Sequence, residues 1–299
     1  MPDVVLGETD EAYARVFDAM YSARAASGIV RNLYAQAMGD LYPWDVDPAG
    51  SADWPLMGSM VGALRMHPNQ QLVDLGCGSG GVGLWLARAL GVAMTGIDIS
   101  ALALRLAADR APAFQIPDTR AEFAVGLRTA TGLPDQYAHG LVCVDALGKR
   151  VQRPAVLAEI RRVLKPGGRA VLTSSRSRTV RAPTWQEDAA QAGLVLEAGY
   201  ERPHEPQMWS RLYGLWIRHE AELRRELGDE QTDSMLHEAR AHAPMLGNRQ
   251  ALVVTLRRPL NDASPAARRD PACPVVLPST EPDRGGRRSP LFLPMPDVR

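Results

Sequence analysis

The sequence has few cysteines, no net charge and no long apolar run, and each absence removes a class of protein. The three cysteines, Cys77, Cys143 and Cys273, stand far apart and form no Cys-x-x-Cys pair, so neither a disulfide framework nor a zinc site is expected. The 34 basic and 34 acidic residues cancel, which leaves no overall field to hold a nucleic acid. No apolar stretch approaches the roughly 18 residues of a membrane-spanning helix, so we expect no membrane contact.

The N-terminus also lacks a secretory signal. Its first 20 residues, "MPDVVLGETDEAYARVFDAM", contain no basic segment followed by an apolar run, as a signal peptide would. Together with the isolated cysteines, this favours a reducing, cytoplasmic location. A hydrophobic content of 45% is ordinary for a globular protein and sufficient for a substantial core.

Short apolar runs alternate with helical patterns through the middle of the chain. The predicted strands are residues 71–75, 92–98, 121–125, 140–145, 169–175, 194–200 and 250–258. The predicted helices are residues 81–90, 100–110, 153–164 and 184–193. Ser100 is placed to cap the second of these helices, and Pro166 with Gly167 follows the third. Alternating strands and helices predict an α/β fold, with a mostly parallel sheet covered by helices on both faces.

Helical segments and a tail surround this core. Residues 1–66 are predicted to form an N-terminal helical lid, and residues 67–258 the core, with a helical insertion at 203–243. Residues 259–299 contain nine prolines in 41 residues and no periodicity, so we predict a disordered tail.

A glycine-rich stretch follows the first predicted strand. In "LVDLGCGSGGVGLWLA" (residues 72–87), Gly76, Gly78 and Gly81 have the spacing G-x-G-x-x-G, which serves NAD, FAD and S-adenosylmethionine (SAM) sites alike. Asp74 precedes them, and a carboxylate there would repel a pyrophosphate by about 1–4 kcal/mol at ~4 Å. It would attract the sulfonium and ammonium groups of SAM, which has no phosphate. The acidic loop therefore favours SAM over a dinucleotide.

A second carboxylate ends the next predicted strand. Asp98, in "TGIDIS", follows Asp74 by 24 residues and is placed to accept hydrogen bonds from both hydroxyls of a ribose. The alternative is that Asp74 and Asp98 are ordinary loop or helix-capping residues. Two acids at two consecutive strand ends around a glycine turn favour the cofactor interpretation.

Four segments together resemble one family, the class I SAM-dependent methyltransferases, and in particular their bacterial small-molecule branch. They are "LVDLGCGSGG", "TGIDIS", "TGLPDQYAHGLVCVDAL" and "LAEIRRVLKPGGRAVLT". The resemblance covers about residues 70–200. It implies a seven-stranded, mostly parallel Rossmann-like sheet whose last strand is reversed, with SAM as the cofactor.

The same resemblance implies cofactor-binding residues. Those expected at the methionine end of SAM are Asp74, Gly76, Cys77 and Gly78. Asp98 is expected on the ribose and Ile99 against the adenine. The family often has an aspartate after the third strand for the adenine amino group, but this chain has Leu127, Arg128 and Thr129 there. Backbone groups or Thr129 are then expected to hold the adenine.

Ligands of open α/β sheets bind beyond the carboxyl ends of the strands, and this selects the catalytic candidates. His204, with Glu205 beside it, follows the sixth predicted strand and is the candidate general base. Asp145 ends the fourth and is placed to contact the cofactor, orient an acceptor or accept its proton. The alternatives are a loop histidine bonded to backbone and an aspartate that caps a turn. The segment "LTSSRSRT" at the end of the fifth strand offers no further acid or asparagine, so we predict no metal.

The aromatic residues indicate where an acceptor binds. Five of the six tryptophans lie outside residues 72–180. We predict a mostly hydrophobic small-molecule acceptor, a secondary metabolite, enclosed by residues 10–58 and 203–217. The predicted lining is Tyr21, Trp44, His204, Trp209 and Tyr213. The alternative is that these aromatics only pack the added helices onto the sheet.

Transfer of a methyl group from SAM to this acceptor is therefore the predicted function. The methylated atom, oxygen, nitrogen or carbon, is left open, as is the formation of homo-oligomers. A protein that binds or cyclises a small molecule on the same fold, without methyl transfer, is the alternative.

Overall fold

The strand that precedes the glycine motif lies at the centre of a seven-stranded sheet. The computed structural model describes residues 6–147, 152–180 and 183–261. The strands are β1 (Gln71–Leu75), β2 (Ala93–Asp98), β3 (Ala121–Val125), β4 (Ala138–Cys143), β5 (Leu164–Ser177), β6 (Val195–Glu201) and β7 (Arg249–Arg257). Their spatial order is β3-β2-β1-β4-β5-β7-β6.

The strand directions confirm the predicted fold class. β1 pairs in parallel with β2 and β4, and β7 lies antiparallel between β5 and β6. Leu72, Val73 and Leu75 of β1 are completely buried, as expected for a central parallel strand covered on both faces. Because β1, β2 and β4 run the same way, their carboxyl ends meet at one edge of the sheet.

Helices cover both faces of this sheet. The helices of the described residues are α1 (Glu8–Ala26), α2 (Ile29–Met38), α3 (Trp54–Leu64), α4 (Gly81–Leu90), α5 (Ala101–Arg110), α6 (Arg153–Val163), α7 (Trp185–Gln191), α8 (Glu205–Arg218), α9 (Glu220–Leu227) and α10 (Asp229–His242). Ser100 caps α5 as predicted, since its Oγ accepts a hydrogen bond from the Ala103 amide at 3.0 Å. Pro166 and Gly167 lie within the long strand β5 rather than in a turn before it.

Two apolar layers hold the helices on the sheet. Neighbouring residues of a strand point to opposite faces, so Val73 belongs to the same apolar cluster as Ile160 of α6, whereas Leu72 belongs to that of Met60 of α3. These layers make the sheet the rigid platform on which the strand ends are positioned.

A third apolar cluster lies away from the sheet. Here α2 packs against α8, and α8 packs in turn against α9 and α10; the cluster includes Leu33, Tyr34, Leu212, Trp216 and Leu236. The N-terminal segment and the C-terminal insertion are therefore joined to each other.

The described residues belong to one compact unit, Met1–Arg269. The division into a lid, a core with an insertion and a tail stays a prediction, and residues 262–299 of the predicted tail lie outside the described residues. No helix in the described ranges combines the length and apolarity needed to span a membrane.

Candidate functional site

The glycine loop after β1 is a tight backbone turn. Gly76 and Gly78 have φ values of 76° and 52°, a region that glycine enters without strain. A Cβ on Gly76 would collide with the side chain of Ala146, and one on Gly78 with the hydroxyl of Tyr21. Glycine is therefore needed at both positions for conformation and for space.

Asp98 is held at the end of β2 by backbone amides. Its Oδ2 accepts a hydrogen bond from the Gly78 amide at 2.8 Å, and its Oδ1 accepts one from the Ser100 amide at 2.9 Å. Burial raises the pKa of Asp98, and these amides oppose the increase. Each carboxylate oxygen has two lone pairs, so both oxygens can still accept a hydrogen bond from a ligand.

Asp74 lies deeper than the loop mouth at which the sequence suggested it. Its side chain is buried, and its Oδ2 accepts a hydrogen bond from the Gly83 amide of α4 at 2.9 Å. Burial raises the pKa of this carboxyl to about 7. At neutral pH the group is therefore divided between its charged and neutral forms, and a bound cation would favour the charged form.

A cavity of about 480 Å³ opens where the ends of β1, β2 and β4 meet. The predicted site residues that line it are Tyr21, Asp74, Gly76, Cys77, Gly78, Asp98, Ile99, Thr129 and Asp145. The structure thus brings together every residue that was predicted to bind the cofactor.

One face of α1 forms a wall of this cavity. Tyr13, Phe17, Met20 and Tyr21 all line it, and their spacing of four, three and one places them on the same side of a helix. The phenol of Tyr21 is buried, and burial together with Asp98 raises its pKa. Sequence reasoning named only Tyr21, although the helical spacing of the other three was a visible signal.

The segment after β3 differs from the family pattern in its chemistry as well as its sequence. Arg128 lines the cavity, and its Nη1 donates to the carbonyl of Ala146 at 2.8 Å. A guanidinium has no acceptor atom, so it cannot accept the hydrogen bond of an adenine amino group as a carboxylate does. Thr129 and backbone carbonyls remain as acceptors here.

Asp145 lies two residues beyond β4, in a left-handed backbone conformation with φ of 55°. Its Oδ1 accepts hydrogen bonds from Thr173 Oγ1 at 3.0 Å and from Ser51 Oγ at 3.1 Å. Its Oδ2 accepts another from the Ser51 amide. The carboxylate therefore connects the sheet to the N-terminal segment.

Five other predicted residues, His204, Glu205, Trp44, Trp209 and Tyr213, are not among those that line the cavity. His204 is exposed, and Glu205 is buried in a two-pronged ion pair with Arg249 at 2.6 and 3.0 Å. Burial with a bound arginine is typical of a structural ion pair. His204 and Glu205 lie at the carboxyl end of β6, as expected, but β6 is an edge strand far from β1 in the strand order.

The three predicted aromatic residues of this group have other partners. Trp44 is half exposed and packs edge to face on Tyr42, with ring centres 5.1 Å apart. Trp209 and Tyr213 belong to the cluster of α2 and α8, and the Tyr213 hydroxyl donates to Glu238 at 3.0 Å. For these three residues the packing alternative describes the observed contacts.

Comparisons with known proteins find a methyltransferase domain in part of the chain. Residues 72–168 match the family described as Methyltransferase domain. Methyltransferase GfsG of Streptomyces halstedii is 30% identical over 132 residues, 44% of this chain and 46% of that protein. The 27-O-demethylrifamycin SV methyltransferase of Amycolatopsis mediterranei is 31% identical over 131 residues, 43% of this chain and 48% of that protein. The chain thus spans less than half the length of these curated relatives.

A solved structure extends the likeness beyond the matched segment. The cyclase SpnF has a TM-score of 0.61 and 19% sequence identity, over 69% of this chain and 82% of that chain. This shows a shared fold. The residues present also fit the cofactor of the family, because Asp98 keeps free lone pairs for hydroxyl groups and lines the same cavity as the glycine loop. In its matched domain and its fold the chain thus resembles the class I SAM-dependent methyltransferases.

Proposed function

We propose that this protein transfers a methyl group from SAM to a mostly hydrophobic small molecule that binds in the cavity beneath α1. One observation carries the proposal: the carboxylates and glycines at the ends of β1 and β2 line the same cavity as the apolar face of α1. A polar cofactor and an apolar acceptor can therefore occupy adjacent parts of one cavity.

The cofactor residues have distinct roles in this proposal. Asp98 accepts hydrogen bonds from the ribose hydroxyls, and Ile99 contacts the adenine. Asp74 and the glycine loop with Cys77 face the methionine end, and Thr129 with the neighbouring backbone accepts from the adenine amino group. Bound SAM supplies an activated methyl group, so that positioning provides much of the barrier reduction.

The acceptor end of the cavity is formed by the N-terminal segment. Tyr13, Phe17 and Met20 of α1, Pro48 and Val144 supply apolar surface, and apolar walls with few polar groups are typical of small-molecule sites. The name of the Amycolatopsis relative gives 27-O-demethylrifamycin SV as its acceptor, which supports an organic small molecule here. By enclosing the site, α1 excludes water during transfer.

The experiment is a methyl-transfer assay with the full chain. The purified protein is incubated with SAM and a panel of apolar compounds that carry hydroxyl, amine or activated carbon groups, and S-adenosylhomocysteine (SAH) is quantified by mass spectrometry. We expect SAH to form with at least one acceptor, together with a product heavier by one methyl group. Failure of SAM and SAH to bind in calorimetry would contradict the proposal.

The alternative function, binding or cyclisation without methyl transfer, is supported by the likeness to SpnF, a [4+2]-cyclase. The same assay separates the two functions. A cyclase would convert the added compound to an isomer of unchanged mass and release no SAH.

A further inference from the structure

The loop that joins the N-terminal helices to α3 forms part of the cavity wall. The loop residues that line the cavity are Asp47, Pro48, Ala49, Gly50 and Ala52. At its start the loop is held by Arg110 of α5, whose Nη2 donates to the carbonyls of Val46 at 2.8 Å and Asp45 at 3.0 Å.

The other end is bound to three strands through Ser51. Asp145 accepts hydrogen bonds from both the amide and the hydroxyl of Ser51. Thr173 of β5 fixes Asp145 in turn, because its Oγ1 accepts from the Asp145 amide at 2.7 Å and donates to Oδ1 at 3.0 Å. Arg202, directly after β6, donates from Nη1 to Ser51 Oγ at 2.8 Å and from Nη2 to the Ser51 carbonyl. We name Ser51, Asp145, Thr173 and Arg202 the Asp145 cluster.

The loop is shaped for this contact. A Cβ on Gly50 would collide with Oδ2 of Asp145, so only glycine lets the loop approach this closely. Arg202 is buried and also pairs with Asp53 at 3.1 Å. Asp53 in turn caps α3 by accepting from the Leu56 amide at 2.9 Å. The contact therefore continues into the first turn of α3.

Three of the roughly four acceptor sites of the Asp145 carboxylate are used by Ser51 and Thr173. We propose that Asp145 is a positioning residue: it binds Ser51 and thereby holds residues 47–53 closed as a wall of the cavity, which slows the escape of the cofactor. It acts through Ser51, and its main task is to fix the loop. This inference rests on the proposed function in one respect: it takes the cavity as the binding site of SAM and SAH.

Thr173→Val tests the proposal from outside the cavity. Valine keeps the shape of threonine but removes both bonds to Asp145, and Thr173 is not among the cavity-lining residues. Loss of these bonds favours local opening, so amide exchange at residues 47–53 of the unliganded protein should become about tenfold faster. Dissociation of SAH, followed by stopped-flow displacement, should accelerate as well. Gly50→Ala, which alters the loop itself, should have both effects if Thr173→Val folds poorly.

Two matched variants complete the experiment. Thr173→Ser keeps the hydroxyl and should restore the slow exchange. Thr255→Val makes the same change at a similarly buried threonine of β7 that makes no side-chain hydrogen bond to the described residues, and it should leave exchange at residues 47–53 unchanged. Unchanged exchange in Thr173→Val and Gly50→Ala would overturn the loop contact. Faster exchange with unaltered SAH dissociation would overturn its role at the site. Neither exchange in the unliganded protein nor dissociation of SAH requires methyl transfer, so a failure of methyl transfer would not imitate either result.

Discussion

The N-terminal helix α1 and the C-terminal helices α8–α10 are both additions to the sheet, and both carry aromatic residues, but they use them differently. On α1, Tyr13 and Val16 are more than half exposed, and Tyr13 and Phe17 line the cavity. On α8, Leu212 and Trp216 are buried in the cluster with α2. Helix α1 therefore covers a cavity, whereas α8 packs its side chains into an apolar cluster.

The difference shows that aromatic content alone does not locate a pocket. The apolar face of α8 meets a complementary face on α2, so its side chains pack against those of α2. The face of α1 meets the ends of strands, where carboxylates and a glycine loop leave a cavity. What decides the role of an aromatic side chain is therefore the element opposite it.

The largest expected effect separates packing from binding. Leu212 is completely buried in the α2–α8 cluster, so Leu212→Ala should lower the free energy of unfolding by about 2–5 kcal/mol. Denaturant unfolding measures this loss. SAM affinity at a temperature where the variant is folded should stay within about twofold. A large loss of affinity would mean that the insertion supports the site directly.

Asp98→Ala should act mainly on SAM affinity rather than on the free energy of unfolding. It removes charge-assisted hydrogen bonds to the ribose, so SAM binding should weaken by about 2–4 kcal/mol, or about 30- to 1,000-fold. Calorimetry measures the affinity, and the exposed Asp118→Ala is the matched control. A nearly unchanged SAM affinity would contradict the assignment of Asp98 as the ribose-binding residue.

The pH dependence of SAM binding tests whether the buried carboxylate of Asp74 interacts with the cationic end of SAM. With a pKa of about 7, Asp74 in the free protein is about nine-tenths ionised at pH 8 and about one-tenth ionised at pH 6. Because a cationic ligand favours the ionised form, SAM affinity should fall about tenfold from pH 8 to pH 6. Asp74→Asn should bind SAM more weakly and lose this part of the dependence. An equal dependence of SAM affinity on pH in the wild type and in Asp74→Asn would contradict the role assigned to Asp74.

The smallest effect is expected at the edge strand. His204 is exposed and contacts Gln207 at 3.2 Å, outside the residues that line the cavity. His204→Gln should therefore leave SAH formation with an identified acceptor within about twofold. A loss of tenfold or more would restore His204 as the general base.

The sheet and the cofactor end were predictable because their signals are local. The glycine spacing, Asp98 and the Ser100 cap each depend on a few neighbouring residues, and β3 has the predicted bounds. The acceptor end depends on pairings between distant segments. Nothing near Ser51 in the sequence indicates that it binds Asp145, 94 residues away. Likewise the pairing of Glu205 with Arg249 could not be inferred from a histidine and a glutamate after a strand.

Hydrogen–deuterium exchange of the wild-type protein with and without SAH tests most directly whether α1 and the strand ends form one site. Added SAH should protect the glycine loop, residues 97–100 and 126–129, and also α1 and residues 47–53, while residues 205–242 remain unchanged. Protection of residues 205–242 with no change in α1 would contradict the proposed cavity and place the ligand between the sheet and the insertion.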